Sequence, residues 1–126
     1  MASRDSGFSL IELTIVVAMV GILAALALQN YKVFKINAYN STAASDARNV
    51  APAAELAASE GGLDDLIELD GTGGPVPELP GVVMSPGITG TIEVRADGYT
   101  IDVEHIDPRA FRYQLDSEAG WAVSEG

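Results

Sequence analysis

The chain has no cysteine, so neither a disulfide framework nor a thiolate metal site can form, and cysteine usage says nothing of the redox compartment. Histidine occurs once, at His105, which excludes a cluster of imidazole ligands within one chain and leaves any Ser-His-Asp arrangement resting on that residue alone. His105 reads instead as a surface residue at the end of a strand. Basic residues are scarce: 7 Lys and Arg stand against 18 Asp and Glu, and 15 of those acids follow Arg48, with only Arg95, Arg109 and Arg112 among them. So acidic a C-terminal part repels phosphate backbones, and no direct nucleic-acid binding is expected of it. Without a nucleophile, base and orienting group in any recognisable set, the chain reads as no enzyme, with no cofactor or metal site.

What the chain does have is a long apolar run. Residues 8 to 28 carry one charge, Glu12, and two other polar side chains, Ser9 and Thr14. As a helix this stretch spans roughly 31 Å, the hydrocarbon thickness of a bilayer. A cleaved secretory signal would have a shorter apolar core followed by a small-residue site, whereas here Gln29 to Lys35 follows, so the segment is expected to be retained. The seven residues before it are polar and end in Gly7, at the edge of the apolar run, where a processing enzyme could cut. Charge does not settle orientation, since Arg4 and the amino terminus compete with Lys32 and Lys35.

Glu12 is the most informative residue. A carboxylate one turn into an apolar span costs several kcal/mol unless it is protonated or paired. It either snorkels to the interface in a neutral or solvated form, or it meets a cation in an assembled state. Were the chain cut after Gly7, the new amine on Phe8 of a neighbouring copy could supply that cation.

Gly7-Phe8-Ser9-Leu10-Ile11-Glu12-Leu13, running on into the apolar stretch, resembles the processing and assembly signature of type IV pilins and the related pseudopilins. The resemblance implies that a prepilin peptidase cuts between Gly7 and Phe8 and N-methylates Phe8, and that Glu12 governs subunit docking. It also implies that Ser9 to Leu28 serves first as inner-membrane anchor and then as filament core, with the leader in the cytoplasm and the C-terminal domain outside. Partners implied in the same way are further copies in a helical homopolymer, a membrane platform protein, an assembly ATPase and a secretin pore. Close helix packing at Gly21 and the Ala24-Ala25 pair should aid assembly. Two departures stand out: Ser6 where the family often has Lys or Arg, and no proline at Leu28-Gln29-Asn30 just after the span. The alternatives are a short periplasmic pseudopilin filament of type II secretion and a membrane-tethered binding module that never polymerises.

From Tyr31 to Glu60 small or apolar residues recur at Phe34, Ala38, Ala43, Ala47, Val50, Ala54 and Ala57, one face of an amphipathic helix that Gly61-Gly62 stops. Pro52 removes one backbone hydrogen bond, so a bend or break near Val50 stays open; unbroken from Phe8 to Glu60, the helix would reach about 80 Å. The stretch Tyr31 to Val50, above all Ala38-Tyr39-Asn40-Ser41, also resembles pilins of metal-reducing bacteria proposed to conduct electrons. Tyr31, Phe34 and Tyr39 could approach one another between subunits, or could simply pack helix and head together.

Residues 61 to 89 read as an acidic connecting loop rich in Gly and Pro, in which Leu63 to Leu69 could form one or two helical turns. Asp64, Asp65, Glu68, Asp70 and Glu78 could hold calcium, but their spacing fits no calcium loop and a solvated loop is the simpler reading. From residue 90 to 126 the period becomes two: Ile92 and Val94, Ile101 and Val103, then Phe111, Tyr113 and Leu115 alternate with polar residues. An Asp97-Gly98 hairpin turn pairs Ala96 with Tyr99, Val94 with Ile101 and Ile92 with Val103, and sets Glu93 against Asp102, with Arg112 at hand to relieve the repulsion. Trp121 and Val123 suggest a fourth strand, and Val82 to Met84 an edge strand or an extended segment. The expected fold is α+β: leader 1–7, membrane and filament-core helix 8–30, amphipathic half 31–60, loop 61–89, and a three- to four-stranded antiparallel sheet 90–126 packed on the Ala-rich helix.

Overall fold

The computed structural model describes residues 7–63 and 66–125. Arg4 and Ser6 of the expected leader, and two of the acids considered for calcium, Asp64 and Asp65, lie outside the described residues. The chain divides into two compact units, one through Lys35 and one from Ile36.

One helix, α1, runs from Leu10 to Ser59 with Pro52 inside it. Pro52 and Arg48, whose carbonyl loses its partner to the proline, both face solvent, where water can replace the missing bond. That is why the helix continues past it. The C-terminus is a Schellman motif: Gly61, at φ 116°, donates its amide to the Ala58 carbonyl at 3.1 Å, and Gly62 donates to that of Ala57 at 2.9 Å. In the first unit every described side chain is exposed, and the helix there is long and apolar enough to cross a membrane. Phe34, expected on the buried face of the amphipathic half, is 71% exposed, and Ala38 is exposed too. The buried face starts later, at Asn40, and continues through Ala43, Asp46, Ala47, Val50 and Ala54.

In the second unit this face packs on a five-stranded antiparallel sheet of order β1-β4-β5-β6-β7, with β1 Ile67–Asp70, β4 Ile88–Arg95, β5 Gly98–His105, β6 Phe111–Asp116 and β7 Gly120–Glu125. A separate ribbon pairs β2, Gly74–Pro75, with β3, Val83–Met84. Ala43, Ala47, Val50 and Ala54 from the helix meet Ile67, Ile88, Ile92, Val94, Ile101, Val103 and Leu115 from the sheet, and Val76, Leu79, Val82 and Met84 close the core from the ribbon side. Small helix side chains let the sheet approach closely, and β-branched residues on the sheet fill the space between.

Three expectations are corrected. The segment 61–89 is no simple loop: Ile67 and Leu69 turn inward while Glu68 and Asp70 face out, so this piece is a strand and not helical turns, and the sheet has five strands. The Asp97-Gly98 turn does not form. Arg95 pairs with Gly98, Val94 with Tyr99 and Ile92 with Ile101, so the connecting residues are Ala96 and Asp97. Neither has the positive φ that a type I′ turn requires at both central positions. Gly98 serves close approach instead: a Cβ there would collide with the Ser117 hydroxyl, whose oxygen accepts the Tyr99 amide at 3.0 Å. The register thus moves by two residues, which keeps the same apolar face inward. It also removes the expected Glu93–Asp102 opposition, for Glu93 lies across from Thr100 and bonds Arg95 at 2.5 Å, while Arg112 engages Asp102 at 2.6 Å.

Candidate processing and assembly site

Gly7, Phe8 and Ser9 precede the helix without regular structure, and Phe8 is 83% exposed. A Cβ on Gly7 would meet no neighbour among the described residues, so no packing there covers the Gly7–Phe8 bond on that side. Helix α1 then opens with a reciprocal cap. The Ser9 amide donates to Glu12 Oε2 at 2.9 Å, and the Glu12 amide donates to Ser9 Oγ at 3.2 Å. This is the capping box of Ser-x-x-Glu, which satisfies two otherwise orphaned donors and sets a negative charge at the positive end of the helix dipole. The signal is legible in the sequence, yet reading Glu12 for its cost alone overlooks Ser9.

The cap explains part of how Glu12 is tolerated. One carboxylate oxygen is engaged within its own chain, and Oε1 still has lone pairs for an outside donor. Around it Leu10, Ile11, Leu13, Ile15 and Val16 are all exposed, so in a bilayer or a helix bundle the carboxylate is bordered by apolar surface except at Ser9. Gly21, farther along, has open space where a Cβ would stand, so another helix can come close there.

Tyr31 is 62% exposed, whereas Tyr39 stacks on His105 with ring centroids 3.7 Å apart and planes 10° from parallel. His105 Nδ1 accepts the Asp107 amide at 3.0 Å. The strand-end histidine is therefore half-buried and joins the helix to the sheet. Two buried polar residues of α1, whose contacts periodicity does not disclose, also tie the helix to the rest of its unit: Asn40 Oδ1 accepts the Phe111 amide of β6 at 2.7 Å, and Asp46 accepts the amide of Ser85, just after β3, at 2.7 Å and its hydroxyl at 3.1 Å. Every donor that the packed helix would otherwise orphan at these points finds a partner.

Of the acids considered for calcium, Asp70 is occupied by Thr72, whose hydroxyl and amide donate to it and hold its carboxyl below the usual carboxylate range. Among the described residues no group of three or more acid or histidine side chains is placed to hold a metal ion.

Comparison with known proteins gives one result for this segment: residues 2–28 match the model of the prokaryotic N-terminal methylation motif. No curated protein and no solved structure matches the chain.

Proposed function

We propose, from the premise that this chain is a type IV pilin-like or pseudopilin precursor anchored in the membrane by α1, that it is the structural subunit of an extracellular type IV pilus. The observation that carries this reading is Glu12, a carboxylate capped by Ser9 at the head of a helix whose first stretch, through Leu28, is exposed and carries no other charge. At the centre of a span an acid costs about 2.5 to 3.5 kcal/mol by insertion measurements, so retaining one near the end of the span needs a compensating interaction. The proposed one is charge pairing across copies. Prepilin peptidase removes residues 1–7 and methylates the amine of Phe8, and that ammonium, still cationic after methylation, docks on the Glu12 carboxylate of a neighbour.

Each subunit then offers an acid to one neighbour and an amine to another. That is a heterologous contact, and with a rotation that does not close it extends without limit. Side-chain packing around Gly21, rather than hydrophobicity, distinguishes protein from lipid as the neighbour of the helix. The platform protein, ATPase and secretin belong to this reading as the machinery that extracts and exports the subunit. The experiment is intact-mass analysis and electron microscopy of material sheared from the cell surface. Long fibres whose subunit begins at N-methylated Phe8 support a pilus. A trimmed subunit found only in the cell envelope assigns the chain to a periplasmic pseudopilus instead.

A further inference from the structure

The apolar run closes at Leu28, and within the next two turns of α1 stand Tyr31, Lys32, Phe34 and Lys35, all of them exposed. Residues three and four apart share one side of a helix, so Tyr31 has Phe34 and Lys35 beside it and Lys32 has Lys35. Asn30 and Val33 take the other side. The two lysines are also the only charges between Glu12 and Asp46.

Depth points to the lipid headgroups. A bilayer adds about 5 to 7 Å of headgroup region to each side of its hydrocarbon core. With that core ending at Leu28, Tyr31 stands about 4.5 Å and Lys35 about 10 Å further along the helix. Helical side chains lean toward the N-terminus, which here is back toward the lipid, so both ammonium groups return to the level of the phosphates. A tyrosine, with its apolar ring and polar tip, suits the same boundary. Continuity and charge then select the occupant. The cluster prolongs the stretch that the bilayer already surrounds, and its charge is of one sign, since the next acid is Asp46, eleven residues beyond Lys35, buried and bonded to Ser85. Anionic phosphate complements it. A second copy in the same membrane stands at the same depth and sets its own lysines against these.

We propose that Tyr31, Lys32, Phe34 and Lys35 form a headgroup collar on the precursor, which binds anionic phospholipid in the leaflet at the C-terminal end of the span and fixes the depth of the helix. The inference rests on the membrane anchoring given above and is independent of polymerisation. The lysines supply the preference for anionic lipid, and the aromatic rings hold the helix against sliding along its axis.

The full chain is reconstituted from detergent into vesicles of phosphatidylcholine and phosphatidylglycerol that carry a trace of spin-labelled lipid of either kind. The fraction of label slowed by the protein gives its lipid preference. Phosphatidylglycerol should associate roughly five- to thirtyfold more strongly than phosphatidylcholine, from about fivefold for each lysine near the surface. Lys32→Gln combined with Lys35→Gln should bring the ratio near one while the chain still floats with the vesicles. Arg48→Gln, which removes a positive charge from the second unit, should leave the ratio unchanged. Equal association of both lipids with the wild type overturns the proposal, as does a preference that survives the double variant or is lost in Arg48→Gln. Depth is read separately in Tyr31→Trp with Trp121→Phe, since Trp121 is the sole tryptophan. Emission there should be quenched most by lipids brominated near the carbonyl end of the acyl chain, and quenching by aqueous iodide alone contradicts the assigned depth. Failure of the wild type to float overturns the membrane anchor and the collar together.

Discussion

Ser9 and Glu12 hold each other across the first turn of α1, each donating its backbone amide to the side chain of the other, at 2.9 and 3.2 Å. Glu12 therefore has two tasks that substitutions can separate. One is local and needs only an acceptor at the third helical position. The other, proposed for the assembled state, needs a negative charge.

The local task is tested at Ser9. Ser9→Ala leaves the Glu12 amide without its acceptor, and loss of an N-cap costs about 0.5 to 2 kcal/mol. Hydrogen exchange of the Glu12 amide in the detergent-solubilised chain should quicken by roughly two- to thirtyfold, with the charge of Glu12 and the capacity to assemble retained. Unchanged exchange would mean that the cap contributes nothing to the helix start.

The head depends on polar pins that apolar periodicity does not disclose. Asp46→Ala would orphan the Ser85 amide and hydroxyl, and Asn40→Ala the Phe111 amide. Each should destabilise the head by about 1 to 3 kcal/mol in denaturant titrations. The two sites bind different segments of the head, so their effects should add.

Gly90 stands between Leu69 on β1 and Val103 on β5, with φ 142°. A Cβ there would run into the Asp102 carbonyl oxygen. Gly90→Ala therefore combines backbone strain with overpacking and should cost about 2 to 6 kcal/mol, read as a fall in the thermal midpoint of the solubilised chain. A neutral effect would argue against this strand register.

Acid should act on the head in a defined window. Two hydrogen bonds from the Arg109 side chain, and a third from its amide, hold Asp107 down at about 2 against an ordinary 3.8. A carboxyl lowered by folding stabilises the folded state in full above its unfolded value, and the contribution is lost as pH falls through the folded one. The stability difference between the wild type and Asp107→Asn should thus be constant above about pH 4 and fade toward pH 2. A difference that persists at pH 2 would mean that Asp107 acts by something other than its charge.

Much of this architecture was readable from residue periodicity. The spacing of Ala43, Ala47, Val50 and Ala54 gives the packed face of the helix, and alternation gives β4, β5 and β6. Register was not readable, because pairing Ile92 with Ile101 or with Val103 buries the same side chains and only the turn decides between them. The turn in turn depends on Ser117, nineteen residues beyond Gly98, a contact no local pattern contains. Strand β1 was hidden for a related reason: four residues, Ile67 to Asp70, fit a helical spacing as well as an alternating one, and only β4 beside them selects the strand. At the candidate site, residues 7 to 12 announced themselves through chemistry, while in the head the placing of Arg48 over Trp121, across more than seventy positions, did not.

The most direct test is filament assembly by Glu12→Gln in cells lacking the wild-type chain. Glutamine can still accept the Ser9 amide and complete the cap, so helix start, membrane insertion and trimming at Gly7 should survive, but it carries no charge for a neighbour's Phe8 ammonium. Trimmed subunit held in the membrane with no surface filaments is the predicted outcome. Filaments in normal number from this variant would contradict the account.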